Sequence, residues 1–182
     1  MKYMIISDIH GSETATIKAL DWFDRMNCDV LVILGDVLYH GPRNPLPEGH
    51  NPKGVVQLLN QRKDLIFAVR GNCEAEVDQM VLDFPCLAEY NMIMDNGIRI
   101  FATHGHHHNP QNLPSLPVGS VFLYGHTHLW ENSLKDGLLI CNPGSVALPK
   151  ENRDASFAVY ENGVMRVLRL EDASVLSEQR LA

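Results

Sequence analysis

Paired cysteines are missing from this chain: Cys28, Cys73, Cys86 and Cys141 stand far apart with no CxxC spacing. That excludes a thiolate zinc knuckle and a disulfide framework, and it reads as reduced thiols. Long apolar runs are absent too. The stretch from Tyr3 to Ile6 is stopped by Ser7 and Asp8, far short of a signal-peptide core or of the roughly 20 apolar residues of a membrane span. The expected address is therefore the cytoplasm, with no membrane partner. No dense basic cluster exists: 15 Lys and Arg against 22 Asp and Glu give a net charge of −7, which argues against duplex nucleic acid as a partner. No repeat, low-complexity tract or linker divides the 182 residues, so one domain over 1–182 is expected. Hydrophobic residues at 45% and charged residues at 20% suit an ordinary buried core. What the chain has in excess is histidine, nine in all, six of them between His104 and His128.

Residues 3–7, 30–34 and 65–69 are short apolar runs rich in β-branched side chains, the pattern of strands buried on both faces. Between Ser12 and Met26 apolar residues recur at helical spacing, with Ser12 as N-cap and Glu13 in the favoured first turn. Segments 54–62 and 74–83 read as shorter helices. The first half is thus β-α-β-α-β-α, which implies parallel strands and right-handed crossovers. Asn96-Gly97, Asp136-Gly137 and Asn162-Gly163 are hairpin turn signals, so the second half is expected to be mostly antiparallel. The expected fold class is α/β: a single-domain four-layer αββα sandwich, two mixed β-sheets packed face to face with helices outside. The stretch 35–53, with four prolines and three glycines, reads as a long functional loop.

Metal-ligand residue types stand just past the C-terminal ends of five expected strands: Asp8 and His10, Asp36, Asn72, His104, then His126 and His128. Ligands of open α/β sheets bind at such ends, where neighbouring loops converge. Taken singly, each has a plainer reading. Asp8 and Asp36 form turns or caps as readily as they bind ions, Asn72 after Gly71 is a turn dipeptide, and His126 and His128 flank a threonine as chance allows. Their succession at strand ends is what argues for one pocket. Oxygen and imidazole donors without thiolates at these positions suit Mn, Fe, Zn or Co.

The motifs run in order as Asp8-Ile9-His10, Gly35-Asp36, Gly71-Asn72-Cys73-Glu74, Thr103-His104 and Gly125-His126-Thr127-His128. With them the sequence resembles the calcineurin-like metallophosphoesterases over residues 3–145. Gly41-Pro42-Arg43-Asn44, Arg70-Gly71-Asn72-Cys73 and Asn142-Pro143-Gly144-Ser145 resemble the small bacterial and archaeal single-domain phosphodiesterases, the bacterial YfcE type above all. The resemblance implies a metal-dependent phosphodiesterase acting on a small diester. Asp8, His10, Asp36 and His128 would hold one divalent ion, Asp36, Asn72, His104 and His126 a second, and a hydroxide bridging the ions would attack phosphorus. Manganese is the expected ion, with zinc, iron, cobalt and nickel compatible. Two divalent ions, two carboxylates and one hydroxide leave a formal +1, which matches a phosphodiester monoanion.

Asp36, Asn72 and His104 are by the same resemblance catalytic, and Asn72 and His106 substrate-binding. Cys73 stands where the commonest family pattern has a histidine that orients phosphate or protonates the leaving group. A thiol with an ordinary pKa of about 8.5 does this poorly, so diesters with good leaving groups are expected to be favoured over monoesters. A small buried apolar residue is the other reading of Cys73. Arg43, the only cation between Arg25 and Lys53, could grip a phosphate oxygen bidentately or be an ordinary surface or intersubunit residue. His107 and His108 are expected to be exposed, His40 and His50 solvated, and Asn142 to Ser145 to lie just behind the ligands. The rival functions are a phosphomonoesterase or pyrophosphohydrolase of the same fold, and a non-catalytic scaffold, since the superfamily is similar to a retromer coat subunit. A homo-oligomer is compatible with the resemblance, with apolar residues of 35–53 or 112–118 as its interface.

Overall fold

Two of the three early apolar runs lie inside a sheet with both faces covered, while the third, expected to be buried likewise, forms the sheet's edge and leaves Phe67 exposed. In the computed structural model, which describes residues 1–181, β1 (Lys2–Ile6), β2 (Val30–Ile33) and β3 (Ile66–Ala68) pair in parallel. On one face Met4, Ile6, Leu31 and Ile33 pack on Ala19, Leu20 and Phe23 of α1 (Glu13–Arg25) and on Val55 and Leu59 of α2 (Pro52–Asn60). On the other face Tyr3, Ile5, Val30 and Val32 meet the second sheet. Each such side chain contributes roughly 1.5–3 kcal/mol when fully buried, so an alternating strand would forfeit half of that here.

Ser12 caps α1 as expected, its hydroxyl accepting from the Ala15 N–H at 3.2 Å. α2 starts two residues before the expected 54, with Asn51 as N-cap and Pro52 in the first turn, where proline's fixed φ is favourable. α3 (Glu76–Gln79) is a single turn instead of the expected 74–83. The chain beyond it turns away to bury Leu82, Phe84 and Cys86, and Glu74 is drawn inward before it.

Three hairpins follow: β4 (Tyr90–Asp95) with β5 (Ile98–Thr103), β7 (Glu131–Lys135) with β8 (Leu138–Asn142), and β9 (Ser156–Glu161) with β10 (Val164–Arg169). They turn at Asn96-Gly97, Asp136-Gly137 and Asn162-Gly163, each with both residues at positive φ, the conformation that matches strand twist. With β6 (Val121–Leu123) and β11 (Val175–Arg180), the strands form a six-stranded sheet, β11-β10-β9-β1-β2-β3, and a five-stranded sheet, β4-β5-β6-β8-β7. Both sheets are mixed. The second half is antiparallel only at its hairpins and at the β9–β1 and β10–β11 pairings, since β5, β6 and β8 are parallel.

The fourth layer differs from expectation. The outer face of the second sheet, with Phe101, Phe122 and Ile140, packs against Leu113 and Leu116 of the 104–120 stretch. Pro110, Pro114 and Pro117 keep that stretch from becoming helical, so a loop stands in place of the expected helix. No described helix is long and apolar enough to cross a membrane. Ile6, Ile33 and Ala68 end in register, as do Ala102, Leu123 and Cys141. Each sheet therefore delivers its parallel strand ends to one edge, where the Gly125 N–H donates to the His104 carbonyl and the His126 N–H to the Asp8 carboxylate.

Candidate metal centre

Asp8, His10, Asp36, His126 and His128 all have positive φ, between 50° and 68°. Non-glycine residues there cost roughly 1 kcal/mol or more each. The loops adopt it because it turns the side chains back over the strand ends. Gly71 makes room for them: a Cβ at that position would meet Asp36 Oδ1.

The ring nitrogens define the chemistry. His10 Nδ1 lies 2.8 Å from the Tyr39 carbonyl, His104 Nδ1 2.6 Å from that of Leu34, and His128 Nδ1 2.5 Å from that of Leu148. A carbonyl only accepts, so each Nδ1 carries the proton and each Nε2 of the neutral ring presents a lone pair. Two such atoms, His10 Nε2 and His128 Nε2, face each other at 3.2 Å, with Asp8 Oδ1 at 3.7 and 3.3 Å from them. Asp36 Oδ2 is 3.8 Å from His10 Nε2. On the other side of Asp36, His104 Nε2 lies 3.5 Å from Oδ1, 3.1 Å from Asn72 Oδ1 and 3.2 Å from His126 Nδ1. Electron-rich atoms gathered this closely repel one another unless a proton or cation lies among them.

Asp8 carries a further sign. Its Oδ2 accepts from the Ser7 hydroxyl at 2.7 Å and the His126 N–H at 3.1 Å, while its fully buried Oδ1 has no hydrogen-bond partner. A buried carboxylate oxygen left bare is costly, and a cation would satisfy it. The donors thus fit two divalent ions, one among Asp8, His10, His128 and Asp36, the other among Asp36, Asn72, His104 and His126. The mixture of carboxylate, amide and imidazole suits first-row metals, and the carbonyl bonds to Nδ1 orient the rings as metal sites require.

Burial alone would raise the Asp8 carboxyl, but the neighbouring His128 and His104 imidazoles and the Ser7 hydroxyl hold it well below the usual carboxylate range. His128 goes the other way: burial disfavours its charged form, yet Asp8 outweighs this and raises it. Burial lowers His10 and His126, the latter helped by His104. His106 is pushed down to about 4 by burial and then by His104, His107 and His126.

The seven expected ligands therefore come together. Cys73 joins them, its Sγ within 4.8 Å of ligand atoms of His10 and Asp36, its backbone N–H donating to Asp36 Oδ1 at 2.9 Å. Burial, then the Asp36 charge, raises its thiol. Arg43 lines a cleft of about 420 Å³ that also exposes Asp36, Asn72, His126 and His128. His106 sits 5.3 Å from His104 between ring centroids and lines an adjoining cleft of about 340 Å³ with Arg70, Asn72 and Glu89. Asn142 donates to the Gly125 carbonyl and the Thr127 hydroxyl, and the Ser145 hydroxyl to the Asp8 carbonyl, just behind the ligands as expected.

Some expectations fail. His107 is exposed, but His108 is half-buried with its ring edge on Phe101. His40 and His50 pack edge to face, because the 35–53 loop folds back on α1 through Ser12 Oγ to the Glu48 carbonyl and the Glu13 N–H to the Gly49 carbonyl. Two residues at the site escaped sequence reasoning. Glu74, only 4% exposed, accepts from the backbone N–H groups of Asp36 at 2.9 Å, Val37 at 2.7 Å and Gly71, pinning two ligand loops together. Burial and the Asp36 charge push its carboxyl up to about 7. Its place beside Gly71-Asn72-Cys73 was the one signal for it. Lys150, which also lines the larger cleft, had none. A separate cavity of about 420 Å³ beside α1 contains none of the expected ligands, and its Lys18, Arg169, Glu171 and Asp154 pair among themselves.

A family model described as the calcineurin-like phosphoesterase superfamily domain matches residues 1–163. The chain belongs to that superfamily. It is 46% identical over 178 residues to the phosphodiesterase YfcE of Escherichia coli K12, with 98% of this chain and 97% of the relative covered. The solved structure of the E. coli YfcE phosphoesterase superposes with a TM-score of 0.98, covering all of both chains. The phosphodiesterase MJ0936 of Methanocaldococcus jannaschii is 27% identical over 154 residues, with 79% and 83% covered. Zinc-complexed Vps29 from Entamoeba histolytica, 17% identical and fully covered on both sides, has a TM-score of 0.62 and shares the fold alone.

Proposed function

We propose that this chain is a metal-dependent phosphodiesterase acting on a small diester. Asp8, His10, Asp36 and His128 hold one divalent ion, and Asp36, Asn72, His104 and His126 the other. The observation that carries this reading is the pair of facing donor sets on the two oxygens of Asp36, closed on one side by the bare Asp8 Oδ1. The YfcE relatives, phosphodiesterases by name and matched end to end, support it. When bound, two divalent ions supply a water ionised near neutrality and positive charge for the phosphoryl oxygens. We take manganese as the working ion.

The protein's own part is orientation. Backbone carbonyls hold His10, His104 and His128 in one tautomer, so no proton occupies the donor nitrogens. Glu74 and the Cys73 N–H fix Asp36 between the two donor sets. Asn72, presented to both clefts, and His106 border the reacting phosphoryl group, and Arg43 offers the substrate a bidentate cation. Cys73 reaches the same place as a neutral thiol, a weak donor that helps little in protonating a leaving group. A scaffold role is not favoured, because all seven donor positions are filled by competent residues.

The test is hydrolysis after metal removal and after reconstitution, on a diester and a monoester sharing one leaving group. Activity that vanishes on chelation, returns with manganese and favours the diester is expected. Metal-independent turnover, or preference for the monoester, contradicts the reading.

A further inference from the structure

The cleft over the metal centre carries two cations that the protein itself leaves uncompensated. Arg43 and Lys150 both line it. Among the described residues neither forms an ion pair or donates a side-chain hydrogen bond; Lys53, Arg99, Lys135 and Arg180 are likewise unpaired but do not line this cleft, while Lys18, Arg25, Arg62, Arg166 and Arg169 lie against carboxylates. They come from loops more than a hundred residues apart, so their meeting is a product of the fold. In a chain of net charge −7, two unpaired cations over one opening are a local reversal of sign. Such a cleft concentrates anions at its mouth.

The adjoining cleft is different in character. It holds Arg70 together with Glu89, beside His106 and His107, and Asn72 lines both clefts. A phosphodiester has two substituents on phosphorus, and two clefts meeting at Asn72 offer one place for each. The charge count separates them. With two divalent ions held by Asp8 and Asp36 and one hydroxide, the centre matches the single negative charge of a diester. Arg43 and Lys150 then add two positive charges that a neutral substituent would leave unanswered.

Resting on the phosphodiesterase reading, we propose that Arg43 and Lys150 form a subsite for an anionic group on one substituent of the diester. The enzyme selects diesters with a second negative charge, such as a carboxylate, sulfonate or further phosphate, over those with a neutral or cationic arm. Lys150 is the specificity residue of this subsite. Charge-assisted contacts of this kind are screened by salt.

Three p-nitrophenyl phosphodiesters that share the leaving group test this, with phenyl, 2-sulfoethyl or choline as the second substituent. The wild type should show a kcat/KM for the sulfoethyl ester roughly tenfold or more above that for the choline ester, and the ratio should shrink as ionic strength rises. Lys150→Arg should keep the order and Lys150→Glu should invert it, with the rise in Tm on adding manganese checking that each variant is folded and loaded. If the phenyl ester is hydrolysed but the sulfoethyl and choline esters are equal, or Lys150→Glu leaves their ratio unchanged, the subsite is wrong while the phosphodiesterase reading stands. If no ester is turned over by manganese-loaded wild type, the phosphodiesterase reading itself fails and takes the subsite with it.

Discussion

Replacing Asp8 by asparagine separates a ligand from a structural residue, because the two oxygens of Asp8 do different things. Oδ2 is tied to the Ser7 hydroxyl at 2.7 Å and the His126 N–H at 3.1 Å, and an amide oxygen in the same place would keep both. The amide NH₂ would then take the position of Oδ1, 3.3 Å from His128 Nε2, where it can donate to a lone pair. The metal-free protein should therefore change by no more than about 1 kcal/mol, or about 2–4 °C in Tm for a chain of this size. The metal-loaded protein should not be spared. At a manganese concentration near 100 times the wild-type Kd, binding adds about 2.7 kcal/mol, a rise of roughly 5–11 °C. Loss of a charged ligand should weaken affinity about 100-fold or more, as removal of mere supporting groups already costs 10–100-fold. At the same concentration the gain then falls to about 0.4 kcal/mol, a degree or so. Calorimetric melting at about pH 8, with chelator and with manganese, reads both numbers. Asp8→Asn retaining the full manganese-induced rise would refute the assignment, and collapse of the metal-free protein would show that the charge is needed for folding instead.

Glu74→Gln exchanges one acceptor oxygen for a donor facing a backbone N–H, so it should cost roughly 1.5–3 kcal/mol and weaken manganese binding about 10–100-fold; calorimetric titration giving an unchanged affinity would count against its role in pinning the loops. Cys73→His should raise turnover of a poor-leaving-group diester relative to a good one, by up to roughly 10²-fold if the imidazole acts as a general acid, and an unchanged ratio would leave Cys73 as packing alone. His106, pushed down to about 4, folds in its neutral form; its contribution is present above the ordinary histidine pKa of about 6.5 and is lost as pH falls toward about 4. Urea unfolding of the metal-free protein should therefore show a flatter pH slope in that window for His106→Gln, and an identical slope would remove the reasoning.

The parts of the fold read correctly from sequence are those that local chemistry decides. β1 and β2 were legible because burial on both faces leaves no polar position within 3–6 and 30–33, β3 because its run stays apolar even though Phe67 is exposed, and the three hairpins because Asn-Gly and Asp-Gly accommodate two consecutive positive φ values cheaply. Asp8, Asp36 and the paired His126 and His128 were legible because they follow strands at once, before the loops can diverge. Glu74 was not, because its burial depends on N–H groups of Asp36 and Val37, close to forty residues away. The length of α3 and the layer over Phe122 were likewise set by packing partners that periodicity does not encode. His40 and His50 read as solvated because nothing local announces that the loop returns to α1.

In the proposed enzyme Asp36 lies between two cations. A crystal of the full chain grown with manganese, measured at the manganese absorption edge, tests it most directly. Two anomalous peaks are expected, one beside Asp8, His10 and His128 and one beside Asn72, His104 and His126, with Asp36 touching both. A single peak, or none among these side chains, would contradict it.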